Sequence, residues 1–417
     1  MDLVIRRAHV RGSPELVDIG IDGGKIEAIR PGIEAHGSRE IDAGGGLVAP
    51  TFVEPHTHLD KALTADRCPP NRSGLIDEVV VNTTEVARTY TEEDVYTRAT
   101  TVAGWFVQNG VTHIRTHVDI GPPVGLTGLE GVLAAREALR GVADIQIVAF
   151  AQWGIVRSPG TDELLRRAMR RGADIVGANT VAERTQADAD RQIDVVFAIA
   201  REFDADVDIH CDSTDDPNAT SLHYLAARTI ELGYHGRVTA GHCCALSSYD
   251  PYYAAKVARL VREAGVSIVT MPIKMLYAGI RDPYPKRRGM TRIDDLLEVG
   301  VNVCTGQDNI LDGFSPCLGR ADPLETALLV AYNFSFKRPG DLELVFDMVT
   351  TNAARALGLR DYGLAPGRPA TLNVLTAPTV QEAIRLQAPR RFVLRNGTMV
   401  AETERVERLH AGTAPRS

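Results

Sequence analysis

The sequence has no surplus of positive charge and no long apolar run. Its 54 acidic residues outnumber its 46 lysines and arginines, which gives a net charge of −8 at pH 7. No basic stripe is therefore left to bind nucleic-acid phosphates, and the short basic run 286–288 is typical of a solvated loop or a substrate clamp. No apolar stretch approaches the roughly 20 residues of a membrane-spanning helix. We expect neither a nucleic acid nor a membrane as a partner, but a small molecule.

Cysteine is scarce and is not spaced like a redox or zinc motif. The chain has six cysteines, and no two of them form a Cys-x-x-Cys pair. In a chain of 417 residues this pattern favours reduced thiols over a disulfide framework. The first residues lead directly into an alternating strand pattern, without the cationic segment and apolar core of a secretory signal. We therefore expect a cytoplasmic location.

The two ends of the chain share a pattern of short alternating strands bounded by turn residues. Runs with this pattern lie at 2–10, 17–21, 25–29, 370–375 and 392–400. Because strands at both ends need partners, we predict that the two terminal parts form one small β domain. The predicted domains are a β-sandwich from 1–50 plus 366–405, a larger domain from 51–365 and a tail from 406–417.

Between these ends, apolar strand-like runs alternate with amphipathic helical patterns. The eight runs lie at 46–58, 112–119, 145–152, 175–179, 207–212, 238–242, 267–271 and 301–308. One helical stretch, 92–108, is followed by Asn109-Gly110, which is a good helix stop. Eight strands joined by helices is the count of a (β/α)₈ barrel. The predicted fold is therefore α/β, a (β/α)₈ TIM barrel with a small composite β-sandwich built from both termini.

Polar side chains gather where these predicted strands end. His56 and His58 are two residues apart in a strand, so their imidazoles point to the same face. The C-terminal ends of the strands of such a barrel meet on one face, and that face carries the site. Five of the eleven histidines belong to the residues at these ends, which are His56, His58, His117, Gln152, His210, His242 and Asp308. This clustering predicts a functional site there.

Four of these residues form the predicted metal site: His56, His58, His210 and Asp308. Three nitrogens and one carboxylate suit Zn²⁺ or Fe²⁺ better than Mg²⁺ or Ca²⁺, which prefer oxygen ligands. We expect one divalent ion, with Zn²⁺ favoured and Fe²⁺ as the alternative. Such an ion lowers the pKa of a bound water from ~16 to about 7, and Asp308 is expected to take the proton. His242 is expected to orient the hydroxide or polarise the substrate, unless it is a hydrogen-bonded core histidine.

With these residues in place, the chain resembles the metal-dependent amidohydrolase superfamily, and within it cytosine deaminase. The matching stretches cover most of the predicted barrel and are 52–60, 115–119, 148–152, 154–155, 210–212, 238–240, His242 and 284–289. The resemblance implies that the four residues above carry the metal and that Gln152 hydrogen-bonds to the ring edge of the substrate. It also implies that His242 assists at the hydroxide, that Phe314 forms an aromatic lid and that the chain forms a homo-oligomer.

The chain departs from cytosine deaminase at two positions. That family has a glutamate after the His-Cys-Asp run, where it shuttles a proton to the ring nitrogen and the leaving ammonia. Here the residue is Ser213, and a serine is not a general acid near neutral pH. The family also has two consecutive aspartates on the eighth strand, where this chain has Asp308-Asn309. Together with Lys61, both changes resemble the N-isopropylammelide aminohydrolase branch, which removes alkylamines from s-triazine rings.

Several residues near these motifs have more than one interpretation. Lys61 and His242 are the candidates for the missing proton donor, although a lysine in a loop is usually solvated. His117 and Asp119 end the second strand on the same face, and we expect them to hold the ligands or the substrate. Asp212 either orients His210 or caps its loop.

Three functions therefore compete. The first is a metal-dependent hydrolase whose activated hydroxide attacks a ring carbon of a nitrogen heterocycle and releases ammonia or an alkylamine. The second is a hydrolase of cyclic amides such as hydantoins or lactams, but relatives of that kind use a bridging carboxylated lysine, and no lysine ends the third or fourth strand. The third is a metal-binding pseudoenzyme, which only Ser213 favours. Metal content and the release of ammonia or amine distinguish the three.

Overall fold

The structure, a computed structural model, describes residues 1–273, 290–334, 336, 338, 340–408 and 410. The basic run 286–288 and the family-like stretch 284–289 lie outside these residues. Within the described ranges, no helix is long and apolar enough to cross a membrane.

The first strands of the chain build one sheet and begin a second. They are β1 (Leu3–Ala8), β2 (Val17–Asp22), β3 (Lys25–Arg30), β4 (Arg39–Asp42) and β5 (Val48–Pro50). β1, β2 and β3 pair antiparallel, and β4 pairs parallel with β1. The sequence did not predict β4, because only one of its four residues is buried and it therefore carries almost no hydrophobic pattern.

Eight parallel strands form the largest sheet in the described chain. They are β6 (Phe52–Thr57), β7 (Val111–Asp119), β8 (Asp144–Ala151), β9 (Ile175–Asn179), β10 (Asp206–Cys211), β11 (Val238–His242), β12 (Ser267–Thr270) and β13 (Val303–Thr305). Neighbours in the sequence are neighbours in the sheet. A parallel bridge between Thr57 and Asp308 links the last strand region back to the first, and the Asp308 N–H donates to the carbonyl of His56 at 2.8 Å. The predicted eight-stranded barrel is confirmed.

The last barrel strand is shorter than predicted. The sequence suggested a strand over 301–308, whereas the extended segment is Val303–Thr305. The chain then leaves the extended conformation, and Asp308 has a φ of +63°, in the left-handed region. The polar residues that follow this strand therefore belong to a loop at the C-terminal face, which is where a barrel carries its site.

Helices alternate with the barrel strands. They are α1 (Ile76–Ala87), α2 (Glu92–Gln108), α3 (Thr127–Ala138), α4 (Thr161–Arg171), α5 (Gln186–Glu202), α6 (Ser221–Glu231), α7 (Pro251–Ala264), α8 (Ile293–Glu298), α9 (Pro323–Asn333), α10 (Asp341–Met348) and α11 (Thr351–Ala356). The predicted bounds of α2 are confirmed. Thr91 caps its start by accepting from the Asp94 N–H, and the chain turns at Gly110 with a φ of +83°. The apolar side chains of α2 recur every three or four residues, so one face packs on the barrel.

The C-terminal part of the chain completes the second small sheet. It contains β14 (Leu372–Leu375), α12 (Val380–Leu386), β15 (Arg390–Arg395) and β16 (Thr398–Glu402). β14 pairs antiparallel with β5, so this sheet contains residues from both ends of the chain. Ile5 and Ile19 from the first sheet share one buried core with Leu372 and Val374 from the second. The predicted composite β-sandwich is therefore confirmed.

Candidate active site

Four buried side chains converge at the C-terminal face of the barrel, and they are His56, His58, His210 and Asp308. Their ligand atoms all lie within 4.8 Å of one another. The Nε2 atom of His210 is 3.2 Å from Nε2 of His56 and 3.2 Å from Nε2 of His58. Oδ1 of Asp308 is 3.2 Å from Nε2 of His58 and 3.9 Å from Nε2 of His56. The structure thus brings together all four residues predicted as ligands, although 252 positions of sequence separate His56 from Asp308.

The spacing and charge of these four groups, called here the metal cluster, fit a divalent cation. Ligands at ~2.0–2.1 Å from a tetrahedral Zn²⁺ are separated from one another by about 3.3 Å, close to the 3.2 Å between the imidazole nitrogens. Burial lowers the pKa of His56 and of His210, and burial together with nearby Lys61 lowers the pKa of His58 to about 3. The imidazoles are therefore neutral, which is the form that binds a metal.

A hydrogen bond fixes the orientation of one ring. Nδ1 of His58 lies 3.0 Å from the backbone carbonyl of His117. A carbonyl only accepts, so Nδ1 carries the hydrogen and Nε2 turns its lone pair toward the metal cluster. The neighbouring strand β7 thereby sets the tautomer of a ligand on β6.

Strained backbone accompanies the polar residues at the strand ends. Asp212, His242, Cys243 and Asp308 all have φ between +46° and +68°. For residues other than glycine, such conformations cost roughly 1–3 kcal/mol each and recur where a side chain must be held for function. Four of the eleven described residues other than glycine with positive φ therefore lie in or beside the metal cluster.

Glu54 is a buried carboxyl group beneath the metal cluster that the sequence analysis passed over. Its Oε1 accepts from the backbone N–H of His56 at 2.9 Å and from that of Gln307 at 3.0 Å. Burial raises the pKa of Glu54 to about 8. By bonding both backbones, it ties β6 to the segment that leads to Asp308. A single acidic residue inside an apolar strand was the only signal for it.

His117 lies beneath the metal cluster and does not line the cavity that contains Lys61 and Gln152. Its ring centroid is 4.0 Å from that of His56, and its Nε2 is 3.1 Å from Oδ1 of Asp208. The side chain is fully buried. This position favours supporting the ligands over contacting a substrate, the other role considered for this residue.

Lys61 is buried and lines a cavity, and its charge lies close enough to His58 to lower the pKa of that histidine. Its Nζ donates to Oδ1 of Asp119 at 2.7 Å and to Oε1 of Gln152 at 3.4 Å, and it lies 5.5 Å from the ring centroid of Phe314. Burial alone lowers the pKa of Lys61, but the carboxylates of Asp119, Asp60 and Asp312 outweigh it and raise the pKa. Three residues predicted from the sequence, Lys61, Gln152 and Phe314, thus line one cavity.

The outer wall of this cavity comes largely from α1. Val80, Thr83 and Thr84 face the cavity, and Thr84 Oγ1 accepts from Nε1 of Trp153 at 2.9 Å. This wall could not be predicted from the sequence, because threonines in a helix give no sign of what the helix faces. Trp153 also lines the cavity.

His242 and Ser213 lie on neighbouring strand ends. The ring centroid of His242 is 4.8 Å from that of His210 and 5.3 Å from that of His56. Ser213 is half-buried. The Asp212 carboxylate accepts from the N–H groups of Ser221 and Leu222, so this residue caps α6. Of its two expected roles, capping is the one that the contacts support.

Comparison with known proteins assigns the chain to a family. The profile of the amidohydrolase family matches residues 39–403. The chain is 33% identical over 408 residues to N-isopropylammelide isopropyl amidohydrolase from Pseudomonas sp. (strain ADP), covering 97% of this chain and 98% of that protein. It is 31% identical over 390 residues to pterin deaminase from Rhizobium rhizogenes, covering 92% and 87%.

A solved structure also matches along nearly the whole chain. The structure of 5-methylcytosine deaminase from Klebsiella pneumoniae, liganded with 5-fluorocytosine, superposes with a TM-score of 0.94 at 36% sequence identity. The match covers 99% of this chain and 100% of the other. The similarity therefore includes both the barrel and the terminal sandwich.

Proposed function

The chain belongs to the amidohydrolase family and is a metal-dependent hydrolase of carbon–nitrogen bonds, and we propose that it removes an exocyclic amino or alkylamino group from a nitrogen heterocycle. The observation that carries the proposal is the metal cluster with the Lys61–Gln152 cavity beside it. Similarity to proteins named for an alkylated triazine, a pterin and a methylated cytosine supports heterocycles as the substrate class.

In the proposed site, His56, His58, His210 and Asp308 hold one divalent ion, with Zn²⁺ favoured over Fe²⁺ because the set is rich in nitrogen. When bound, such an ion makes a water molecule acidic enough to act as a nucleophile near neutral pH. The Asp308 carboxylate would accept the proton of the attacking water. His242, beside His56 and His210, hydrogen-bonds to the attacking oxygen.

The leaving nitrogen must gain a proton before the carbon–nitrogen bond breaks. Ser213 cannot supply it at neutral pH. Asp308, once protonated, and His242 are the proposed donors, while Lys61 acts by donating hydrogen bonds. Its neighbouring carboxylates raise its pKa, which makes the ammonium a poor acid. Gln152 and Phe314 are proposed to contact the ring, and His117 to support His56 and His58.

Ring opening of a cyclic amide is the weaker candidate. It requires a bridging lysine in relatives with two metals, and neither β8 nor β9 contains a lysine. The homo-oligomer and the cytoplasmic location expected from the sequence stay predictions.

A substrate panel tests the proposed function. The metal-loaded protein is incubated with aminopyrimidines, aminopteridines and alkylamino-s-triazines, and released ammonia or alkylamine is measured. We expect release from at least one member, with one new ring carbonyl in the product. A product that gains water without losing nitrogen would instead identify a cyclic-amide hydrolase. Metal binding without any product would favour the pseudoenzyme.

A further inference from the structure

The first and last barrel strands, β6 and β13, meet at a seam that is held mainly by side chains. In the part of the chain that the structure describes, these two strands share no ladder, and the bridge between Thr57 and Asp308 is their backbone link. Two residues of the metal cluster lie on opposite sides of this seam, His56 on β6 and Asp308 after β13. The separation of these two residues therefore depends on the contacts that close the seam.

The Glu54 side chain closes the seam in place of a ladder. Its Oε1 accepts from the backbone N–H of His56 at 2.9 Å and from that of Gln307 at 3.0 Å, so one oxygen joins both sides. Gly306 leaves the space for this contact, because a Cβ atom there would lie 2.8 Å from Oε1 of Glu54 and 2.9 Å from Cβ of His56. The carboxyl group is buried, so solvent does not compete for the two N–H groups.

A second set of contacts reaches the same segment from the terminal sandwich. Oε1 of Gln307 accepts from the backbone N–H of Asp322 at 3.2 Å, and Oδ1 of Asp322 lies 2.7 Å from Nη2 of Arg390 on β15. The side chains of this ion pair are only 3% and 2% exposed. Nη2 of Arg390 also donates to Oδ1 of Asn109 at 2.7 Å. A buried pair with such contacts is costly to break, so it is a firm support for the residue that precedes Asp308.

We propose that Glu54 and Arg390 are positioning residues that hold the segment 306–308 and thereby fix Asp308 at the distance from His56 that one metal ion requires. This inference rests on the proposed function, since it takes the metal cluster as the metal site. Glu54 acts from the barrel and Arg390 from the sandwich, each through the backbone that carries the ligands. Loss of a group that orients a metal ligand typically lowers metal affinity by about 10–100-fold.

Variants of Glu54 test the contact inside the barrel. Glu54→Met removes the oxygen that both N–H groups use, and we expect the affinity for Zn²⁺ to fall by about 10–100-fold. Glu54→Gln keeps a carbonyl oxygen, and we expect it to lose less than about tenfold. Competition with a chromophoric chelator measures both. Where Glu54→Met does not fold, Gly306→Ala takes its place, because the added methyl group pushes the two sides of the seam apart. A folded Glu54→Met or Gly306→Ala variant with wild-type affinity would overturn the inference.

Two variants test the contact with the sandwich. Arg390→Met removes the buried ion pair, whereas Gln307→Met removes only the acceptor of the Asp322 N–H and carries the test if Arg390→Met does not fold. We expect either change to lower the affinity for Zn²⁺ by about tenfold. Arg385→Met, which breaks an exposed ion pair within α12, is the control and should leave the affinity unchanged. A loss in the Glu54 variants with none in these two would overturn the role of Arg390.

A spectroscopic measurement separates positioning from a general loss of stability. Each variant that circular dichroism shows to be folded is loaded with Co²⁺, whose visible absorption depends on the arrangement of its ligands. We expect Glu54→Met and Arg390→Met to change this spectrum and Glu54→Gln to restore it. Variants that unfold more easily without metal, yet keep the wild-type affinity and spectrum, would overturn the inference and leave the proposed function standing. A wild type that binds no metal would overturn the proposed function itself.

Discussion

Two buried polar assemblies lie one above the other in the barrel, and they differ in the charge they contain. The metal cluster consists of three neutral imidazoles and a carboxylate. Beneath it, the Arg115 guanidinium donates to Asp208 at 2.9 Å, and also to Thr239, Gln146 and the carbonyl of Ala356. We call this lower group the arginine network.

The difference shows how each assembly is stabilised. The arginine network contains its own cation, and Arg115 is the largest of the fully buried side chains. Each guanidinium nitrogen of Arg115 donates to an acceptor, so its positive charge is stabilised within the network. The metal cluster brings three neutral imidazoles and one carboxylate together, an arrangement that a bound cation would stabilise. His117 connects the two, since it lies against His56 and beside Asp208.

The largest expected effect comes from removing the carboxylate of the metal cluster. Asp308→Ala takes away a ligand and the proton acceptor, and loss of a proton acceptor alone lowers a rate by about 10²–10⁴-fold. We expect turnover of the best panel substrate to be abolished while the fold is retained. Steady-state kinetics and circular dichroism check this, with exposed Asp361→Ala as the control. Activity in Asp308→Ala equal to that of the wild type would remove Asp308 from the metal site.

Breaking the arginine network should lower the free energy of unfolding. Arg115→Met leaves Asp208 buried without its ionic partner, which costs about 3–5 kcal/mol. We expect urea unfolding to show this loss, and added metal not to restore it. Arg171→Met, which breaks the ion pair between exposed Arg171 of α4 and Glu130 of α3, should leave the midpoint unchanged. Equal effects of the two substitutions would mean that the buried network is no more important than a surface pair.

Acid should destabilise the metal-free protein through the metal cluster. The folded-state pKa values of His56, His58 and His210 lie below the unfolded value, with that of His58 at about 3. Below about pH 6.5 the unfolded chain therefore binds more protons than the folded one, and stability falls as pH drops toward 3. Each such histidine contributes roughly 1.4 kcal/mol per pH unit.

Unfolding of the chelator-treated protein between pH 7 and pH 5 measures this slope. His58→Gln should reduce it by about one proton. A replacement of exposed His36 by Gln is the control and should leave it unchanged. A slope that does not respond to His58→Gln would show that this histidine is already protonated in the folded state.

The last expected effect concerns the position after Asp212. Ser213→Glu restores a carboxylate where cytosine deaminase has its proton shuttle, and we expect faster release of ammonia from cytosine, by up to about 10²-fold. Ser213→Gln has the same size but no titrating group, and it should give no increase. An equal response to both substitutions would show that shape, and not proton transfer, limits the reaction here.

The sequence predicted the site best where the functional residues end the barrel strands. Each residue of the metal cluster ends a predicted strand or follows it closely, and the ends of parallel barrel strands meet on one face, so the pattern predicted which residues come together. Gln152 ends the third predicted strand and was found in the same way, whereas Lys61 was found by resemblance. The contact between Lys61 and Gln152 was not predicted, because the two residues are 91 positions apart.

Other features, namely the Arg115–Asp208 pair, Glu54 and the cavity wall on α1, could not be predicted from the sequence. Asp208 lies two residues before His210, yet its pairing with Arg115 joins two strands that are not neighbours in the sheet. Glu54 reads as part of an apolar run, and the cavity wall on α1 is made of ordinary helix residues. Such contacts depend on side-chain directions across the barrel, which strand periodicity does not specify.

Metal content measured together with turnover tests the central claim most directly. The protein is purified, stripped with a chelator and reloaded with Zn²⁺ or Fe²⁺, and metal per chain and amine release are measured on the same samples. We predict one metal ion per chain, amine release in proportion to it, and loss of both in His210→Ala. Full amine release from the stripped protein would contradict the account.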